Sequence, residues 1–256
     1  MKKLLAILLI LAMSLTLLTA CGDKPAISGE REPLTWELYV AAGMKKPMDV
    51  VVAAWQAKTG DTVNVNYSSS GALFAQIEQG QPCDLYFTAD WIYVEKMQEA
   101  ELAASYTPFL NDNVALVVSE SAKEKIKSFE DLTKKDITLC VCDYAAPVGL
   151  YAEDGLRSMG LWNGAEPQIV ARPSTVNQAA IMVLQDEVDA ALIFSSVANA
   201  NSLTPVALMD TKDSGEIIFA TVTVKGENEA IANEFVKFAN EYVGEFEKYG
   251  WKAYAK

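Results

Sequence analysis

The chain contains no histidine. That removes the side chain most used as a general base near neutral pH and the commonest protein ligand of transition metals. It has no Cys-x-x-Cys pair, and beyond Cys21 it has only Cys83, Cys140 and Cys142. Cys140 and Cys142 alternate along one strand-like run, so their side chains point the same way and geometry disfavours a disulfide between them. An odd count leaves at least one thiol free in an exported chain, and buried free cysteine is the expected state. Positive charge is also scarce, with 21 Lys and Arg against 34 Asp and Glu. Past residue 20 no apolar run is long enough to span a bilayer.

What is present begins with a targeting pattern. Lys2 and Lys3 form a positive start, Leu4 to Leu18 is almost wholly apolar, and Leu18-Thr19-Ala20-Cys21 follows. A cysteine directly after a small residue at the end of such a run resembles the lipobox of bacterial lipoproteins. The expectation is a lipoprotein signal peptide over 1–20 with lipidation at Cys21; a plain signal peptide or short anchor is the alternative. Either way the segment is excluded from fold reasoning. Removing it takes away two lysines and no acid, so 19 basic and 34 acidic residues remain, a net charge of −15. Such a chain repels nucleic acid and anionic membrane surfaces. It also repels an anionic ligand at long range, so any anion site must work through local dipoles and hydrogen bonds.

Residues 21–33, with Pro25, Gly29 and Pro33, read as a tether. After it, strand-like and helix-like patterns alternate: strands at 34–40, 62–67 and 84–88, with helices at 48–58, from about residue 70, and at 91–100. The alternation argues for α/β, with mostly parallel sheets flanked by helices. A change near Pro108 and the apolar run Asn113 to Val118 mark a crossover, and the second half repeats the alternation. The expected organisation is lobe 1 over 34–111 plus 220–256 and lobe 2 over 112–219. The hinge is expected near Asn111–Asn113 and the strand Ile217–Val224.

Five turns fall at the ends of expected strands: Ala41-Ala42-Gly43, Ser68-Ser69-Ser70, Pro147-Val148-Gly149, Ser174-Thr175-Val176 and Phe194-Ser195-Ser196. Ligands of open α/β sheets bind at this edge. Serines at a helix start cap its free N–H groups, and the helix dipole adds about half a positive charge there. An anion can bind such a terminus without a charged side chain. An ordinary serine cap explains any one of these turns; the set of five points to one shared site.

With these turns in view, the sequence resembles the molybdate-binding proteins of bacterial ABC importers, within the type II solute-binding proteins. The resemblance runs from about Leu34 to Tyr249. It rests on Ser69-Ser70-Gly71-Ala72-Leu73 with Gln76-Ile77-Glu78-Gln79-Gly80, Cys83-Asp84-Leu85 with Ala89-Asp90, and Pro147-Val148-Gly149-Leu150-Tyr151-Ala152 with Gly160-Leu161-Trp162. Val176-Asn177-Gln178-Ala179, Asp189-Ala190-Ala191-Leu192-Ile193 and Lys248-Tyr249-Gly250 continue it. The resemblance implies a two-lobed fold with a ligand cleft between the lobes. It also implies a tetrahedral oxyanion ligand, molybdate or tungstate, delivered to an ABC permease and its ATPase. No cofactor and no direct metal coordination are expected, and the chain is expected to act as a monomer on the outer face of the cytoplasmic membrane, or in the periplasm of a two-membrane cell.

Carried over by position, the family's ligand-binding residues fall at Gly43, Ser70, Val148, Val176 and Phe194. Ser70 matches. Val148 and Val176 can serve through their N–H groups. Gly43 and Phe194 stand where the family usually has serine and tyrosine, so two hydroxyl donors are missing. A hydrogen bond to a charged group contributes roughly 1.5–3 kcal/mol. Two such losses without replacement weaken binding on the order of a hundredfold or more. Candidate replacements are the Met44 N–H, the hydroxyls of Ser69, Tyr144 and Ser195, and the cationic side chains of Lys45 and Arg172. A site made only of donors suits a fully deprotonated dianion such as molybdate, tungstate or sulfate. It disfavours monohydrogen phosphate, unless Asp143 faces the pocket. An enzyme reading fails for want of a base beside Cys142 or the Ser68–Ser70 hydroxyls. The readings left beside molybdate transport are another small anionic ligand, or a sensor lipoprotein of the same fold.

Overall fold

In the computed structural model, which describes residues 31–255, β1 (Thr35–Ala41) lies inside the first of two sheets. Trp36, Leu38, Tyr39, Val40 and Ala41 are all buried, the near-continuous apolar run of a strand covered on both faces. Residues 1–20, expected as a signal peptide, and Cys21 lie outside the described residues. Residues from Pro33 onward form one compact unit.

After β1 come α1 (Lys45–Thr59), β2 (Thr62–Ser68), α2 (Ser70–Glu78), β3 (Leu85–Thr88), α3 (Ile92–Glu99) and β4 (Ala103–Asp112). The chain then crosses into a second sheet with β5 (Val114–Val118) and β6 (Leu139–Val141), followed by α4 (Pro147–Ser158) and α5 (Trp162–Ala165). β7 (Ile169–Ala171), α6 (Val176–Leu184), β8 (Ala190–Phe194), α7 (Ser195–Ala200), β9 (Ala207–Leu208) and α8 (Thr211–Ser214) complete that lobe. Finally β10 (Ile217–Val224), α9 (Glu229–Glu241), α10 (Val243–Glu247) and β11 (Lys252–Ala253) return to the first lobe. Edge-to-face contacts of Trp36 and Trp55 with Phe235, and of Trp55 with Phe238, seat α9 there. Each buried aromatic of this kind contributes about 1.5–3 kcal/mol.

The two-lobed α/β architecture read from the alternation is the one observed, with one correction. The sheets are mixed, not mostly parallel. In the order β11-β4-β10-β3-β1-β2, β1 pairs in parallel with both β2 and β3, while β10 runs antiparallel to β3 and β4. In the order β7-β6-β8-β5-β9, β6 is parallel to its neighbours and β5 is antiparallel to β8. β10 and β5, which set the antiparallel pairings inside the sheets, are the strands that arrive from the other lobe. They do not come through a strand–helix–strand crossover, so nothing forces them parallel.

β4 escapes the sequence pattern because Pro108 sits inside it. The register slips there, with Leu110 opposite Phe219 and Pro108 opposite Ala220. A bulge is where a strand tolerates a residue without an N–H. Between β4 and β5 only Asn113 lies outside a strand, which places the first crossing inside the expected hinge. The second crossing is Gly215-Glu216, where Gly215 adopts φ 80°. The strand β10 is not itself a crossing. It pairs with β4 from Ile217 to Val224, so Ile217–Phe219 belong to the first sheet.

Candidate functional site

All five turns converge. One small pocket between the lobes is lined by Ala41, Ala42 and Gly43, by Ser68, Ser69 and Ser70, by Ala146, Pro147 and Val148, by Thr175 and Val176, and by Phe194. Ala89 and Phe219 complete it. The cavity measures about 20 Å³ when traced by the centre of a water-sized sphere. Treated as a ball and widened by the radius of that sphere, it has a radius of about 3 Å. That is room for one atom with four oxygens around it, not for a sugar or an amino acid. No lining residue carries a charge. A broader groove by the first crossing, about 680 Å³, is lined by residues that include Asp112, Asp210, Lys212, Glu216 and Lys252 and receives none of the five turns.

Each turn brings donors for a stated reason. The first few N–H groups of a helix have no partner within it. At α2 the Ser69 hydroxyl oxygen accepts the Ala72 N–H, and the Gly71 N–H donates to Ala145 O of the other lobe at 2.8 Å, which leaves the Ser70 N–H. Ser70 is fully buried. Its Oγ accepts the Ala89 N–H at 3.0 Å, and its proton is free to turn to the neighbouring Tyr86 hydroxyl or into the pocket. At α4 proline occupies the first position and Gly149 N–H bonds Ala146 O, so Val148 N–H remains. At α6 Thr175 and Gln178 form a reciprocal capping box, which leaves Val176 N–H at the mouth. The 3-10 turn Ala42–Met44 that runs into α1, together with α2, α4 and α6, therefore presents four positive dipole ends to one space.

Gly43 is glycine for a packing reason. A Cβ there would lie 3.0 Å from Val197 Cγ2 and 3.3 Å from Val176 Cγ1, both in the other lobe. The space a hydroxyl would need is filled with methyl groups. Phe194 packs edge-to-face on Phe219 at 5.2 Å between ring centres. The turn after Phe194 is closed to ligand. Ser195 N–H donates to Asn113 O, Ser195 Oγ donates to Asp112 Oδ1 at 2.6 Å, and Ser196 donates to Asp112 through both its N–H and its hydroxyl. Asp112 is thus an internal anion at the start of α7, and burial pushes its carboxyl up to about 6.

Of the candidate replacement donors, Ser69 lines the pocket and the rest do not. Met44 is wholly buried beneath the turn. Lys45 pairs with Asp49 at 2.7 Å and lies over the Tyr67 ring. Tyr144 is exposed and donates to Glu153 at 2.5 Å, while Arg172 stacks on Tyr144 and Trp162. Ser195 is held by Asp112. Asp143 turns away and accepts the Ala145 N–H at 2.9 Å, so no carboxylate lines the pocket. Ala89, Ala146 and Phe219 were missed. Phe219 follows a crossing that sequence pattern cannot orient, and the others carry no chemistry to notice. The three cysteines are buried and unpaired, with burial pushing Cys140 up to about 12, which makes it an inert thiol.

The lobes meet through named contacts beside the pocket. Asn177 Nδ2 donates to Ala42 O at 2.7 Å, Asn199 Nδ2 to Tyr249 O at 2.8 Å, and Lys46 to Ala200 O. Tyr151 of the second lobe lies beside the Asp90 carboxyl of the first, and its hydroxyl donates to Glu216 O at 3.5 Å. Burial raises the Asp90 carboxyl above its ordinary range, while the Ile92 N–H and Tyr151 oppose that rise.

Comparison with known proteins gives a consistent picture. Residues 37–252 match the family model described as bacterial extracellular solute-binding protein. A Bacillus subtilis (strain 168) protein, YvgL, provisionally named an ABC transporter substrate-binding lipoprotein, is 25% identical over 93% of this chain and 94% of its own. The molybdate-binding protein ModA of Mycobacterium bovis is 24% identical over 92% of each chain. Among solved structures, the periplasmic molybdate-binding protein of Azotobacter vinelandii superposes with a TM-score of 0.74 at 20% identity, covering 84% of this chain and 98% of that one.

Proposed function

The chain belongs to the bacterial extracellular solute-binding proteins, and from that premise we propose that it captures a tetrahedral oxyanion and hands it to an ABC permease and its ATPase. It is an exported binding protein, not an enzyme, and relatives that carry the name molybdate-binding span nearly its whole length. Molybdate and tungstate are accordingly the four-oxygen ligands proposed. Cys21 is proposed as the lipid-bearing residue and the anchor to the membrane, which the lipoprotein name of the Bacillus subtilis relative supports. Within the described residues no helix is long and apolar enough to cross a membrane. We further propose that the protein works as a monomer without a cofactor.

One observation carries the ligand reading: four helix N-termini and the hydroxyls of Ser69 and Ser70 meet in a space of about 3 Å radius with no charged side chain. Such a wall is rich in donors and has no carboxylate to take a proton, so it favours an anion that has no proton left to donate. The roles of Gly43, Ser69, Ser70, Val148, Val176 and Phe194 as ligand-contacting positions follow from this reading.

The test is calorimetry on the chain from Gly22, which keeps the whole compact unit, against molybdate, tungstate, sulfate and phosphate. Molybdate or tungstate is expected to bind, and at a hundredfold excess over Kd to stabilise the fold by about 2.7 kcal/mol. For a chain of this size that is a rise in Tm of roughly 5–10 °C. Phosphate is expected to bind far more weakly than sulfate. If none of the four binds or stabilises, the reading fails.

A further inference from the structure

The pocket is unequal around its wall. Four of the five turns offer donors: the N–H groups of Gly43, Ser70, Val148 and Val176, and the hydroxyls of Ser69 and Ser70. The fifth offers none. Its side chain is the Phe194 ring, packed on Phe219, and the N–H and hydroxyl groups of Ser195 and Ser196 are already committed to Asn113 and Asp112. The Ala89 N–H, nearby in the lining, is taken by Ser70 Oγ. This sector is therefore carbon.

An ion that fills a space of about 3 Å radius cannot avoid that sector. One of its four vertices meets the two phenyl rings. An oxygen placed there loses its water and gains no partner, and leaving a charged acceptor unpaired costs more than leaving a neutral one. A methyl group at the same vertex loses nothing, and a terminal sulfur, a softer and weaker hydrogen-bond acceptor than oxygen, loses less.

Resting on the oxyanion reading, we propose that the site prefers tetrahedral anions with three oxygens and one vertex that accepts hydrogen bonds weakly or not at all. The chemical class is the sulfonates, thiosulfate and their analogues. The three oxygens face the donor turns, and the fourth vertex lies against Phe194 and Phe219.

A series about one central atom tests this. Sulfate and thiosulfate are dianions that differ only in the fourth vertex, oxygen or sulfur; methanesulfonate places a methyl group there and carries one charge fewer; none of the three has an exchangeable proton near neutral pH. Calorimetry on the chain from Gly22, with molybdate as reference, is expected to show thiosulfate binding about tenfold or more tighter than sulfate, the lost partner of one oxygen, and methanesulfonate binding no weaker than sulfate although it carries one charge fewer. Phe194→Tyr, which places a hydroxyl in the carbon sector, is expected to raise sulfate affinity about tenfold and lower that of methanesulfonate. The wild-type comparison stands whatever that variant does. Sulfate binding as tightly as thiosulfate, or more tightly than methanesulfonate, overturns the preference and leaves the oxyanion reading in place. No binding by any of the three or by molybdate overturns both.

Discussion

Replacing Ser70 with alanine separates two tasks that one hydroxyl performs. Its oxygen accepts the Ala89 N–H at 3.0 Å, and its proton can reach the pocket. Ser70 has no solvent exposure, so water cannot replace either partner. Removing the acceptor leaves a buried N–H unsatisfied, which costs about 1–3 kcal/mol of folding stability. At roughly 2–4 °C per kcal/mol for a chain of this size, the unliganded Tm falls by about 2–12 °C. Removing the donor takes away one hydrogen bond to an anion, about 1.5–3 kcal/mol, or roughly ten- to a hundredfold in Kd. The backbone N–H of residue 70 and the dipole of α2 survive the change, so binding weakens but persists. The assay is calorimetry with the tightest of the tested anions, beside thermal melts without ligand. Ser69→Ala is the companion variant: it removes a second pocket hydroxyl together with the cap that accepts the Ala72 N–H, the cap costing about 0.5–2 kcal/mol of stability. A Ser70→Ala protein that binds like the wild type while melting lower would refute the donor role and leave Ser70 a purely structural strut.

Other substitutions probe the rest of the site. Lys45→Ala, Arg172→Ala and Tyr144→Phe are expected to leave affinity within about threefold, because each group is engaged at the surface and exposed pairs contribute about 0–1 kcal/mol; a tenfold loss by calorimetry in any of them would put a cation in the site. Gly71→Ala is expected to weaken binding at least about tenfold, since its Cβ would lie 2.6 Å from Tyr93 Oη and 2.9 Å from Ala145 O across the cleft. Small-angle scattering should then show less contraction on adding ligand than in the wild type. Asp112→Asn tests the buried anion through pH. Burial holds the Asp112 carboxyl at about 6 in the folded chain against an ordinary 3.8, so the folded state binds that proton more tightly than the unfolded one. Its contribution to stability therefore grows as pH falls from about 6 to about 4. Denaturant melts are expected to show the wild type gaining on the asparagine variant over that window; parallel curves would contradict it.

Much of this was legible in the sequence because strand–helix alternation and cap chemistry are local. Ser69, Thr175 and Pro147 announce helix starts by their own side chains, and the structure puts their turns side by side. What the sequence did not carry is direction and neighbourhood. β10 and β5 read as strands, but nothing local says that they run antiparallel to their neighbours. β4 was hidden by Pro108, which a bulge accommodates. Lys45, Arg172 and Tyr144 sit within a few residues of the pocket in sequence, yet each finds a partner on its own lobe's surface. Sequence proximity to a turn is no guide to which side of the helix a long side chain leaves by.

The absence of a cation from the lining has a consequence that joins the composition to the site. Excluding residues 1–20 the chain carries a net charge of −15, so it repels an approaching dianion at distances beyond contact. Once inside, the ion is held by first-turn N–H groups and buried hydroxyls within hydrogen-bond reach. Salt acts on these two stages differently. At about 0.1 M the screening length is about 10 Å, which mutes the repulsion but scarcely touches a buried contact. Raising an inert monovalent salt from roughly 0.02 M to 0.5 M is therefore expected to speed association and leave the affinity unchanged or improved. A pocket whose affinity came from lysine or arginine would lose affinity over the same range. Stopped-flow association rates and calorimetric Kd values at both salts decide between them, and a fall in affinity of tenfold or more would mean that the charge balance of the site has been misread.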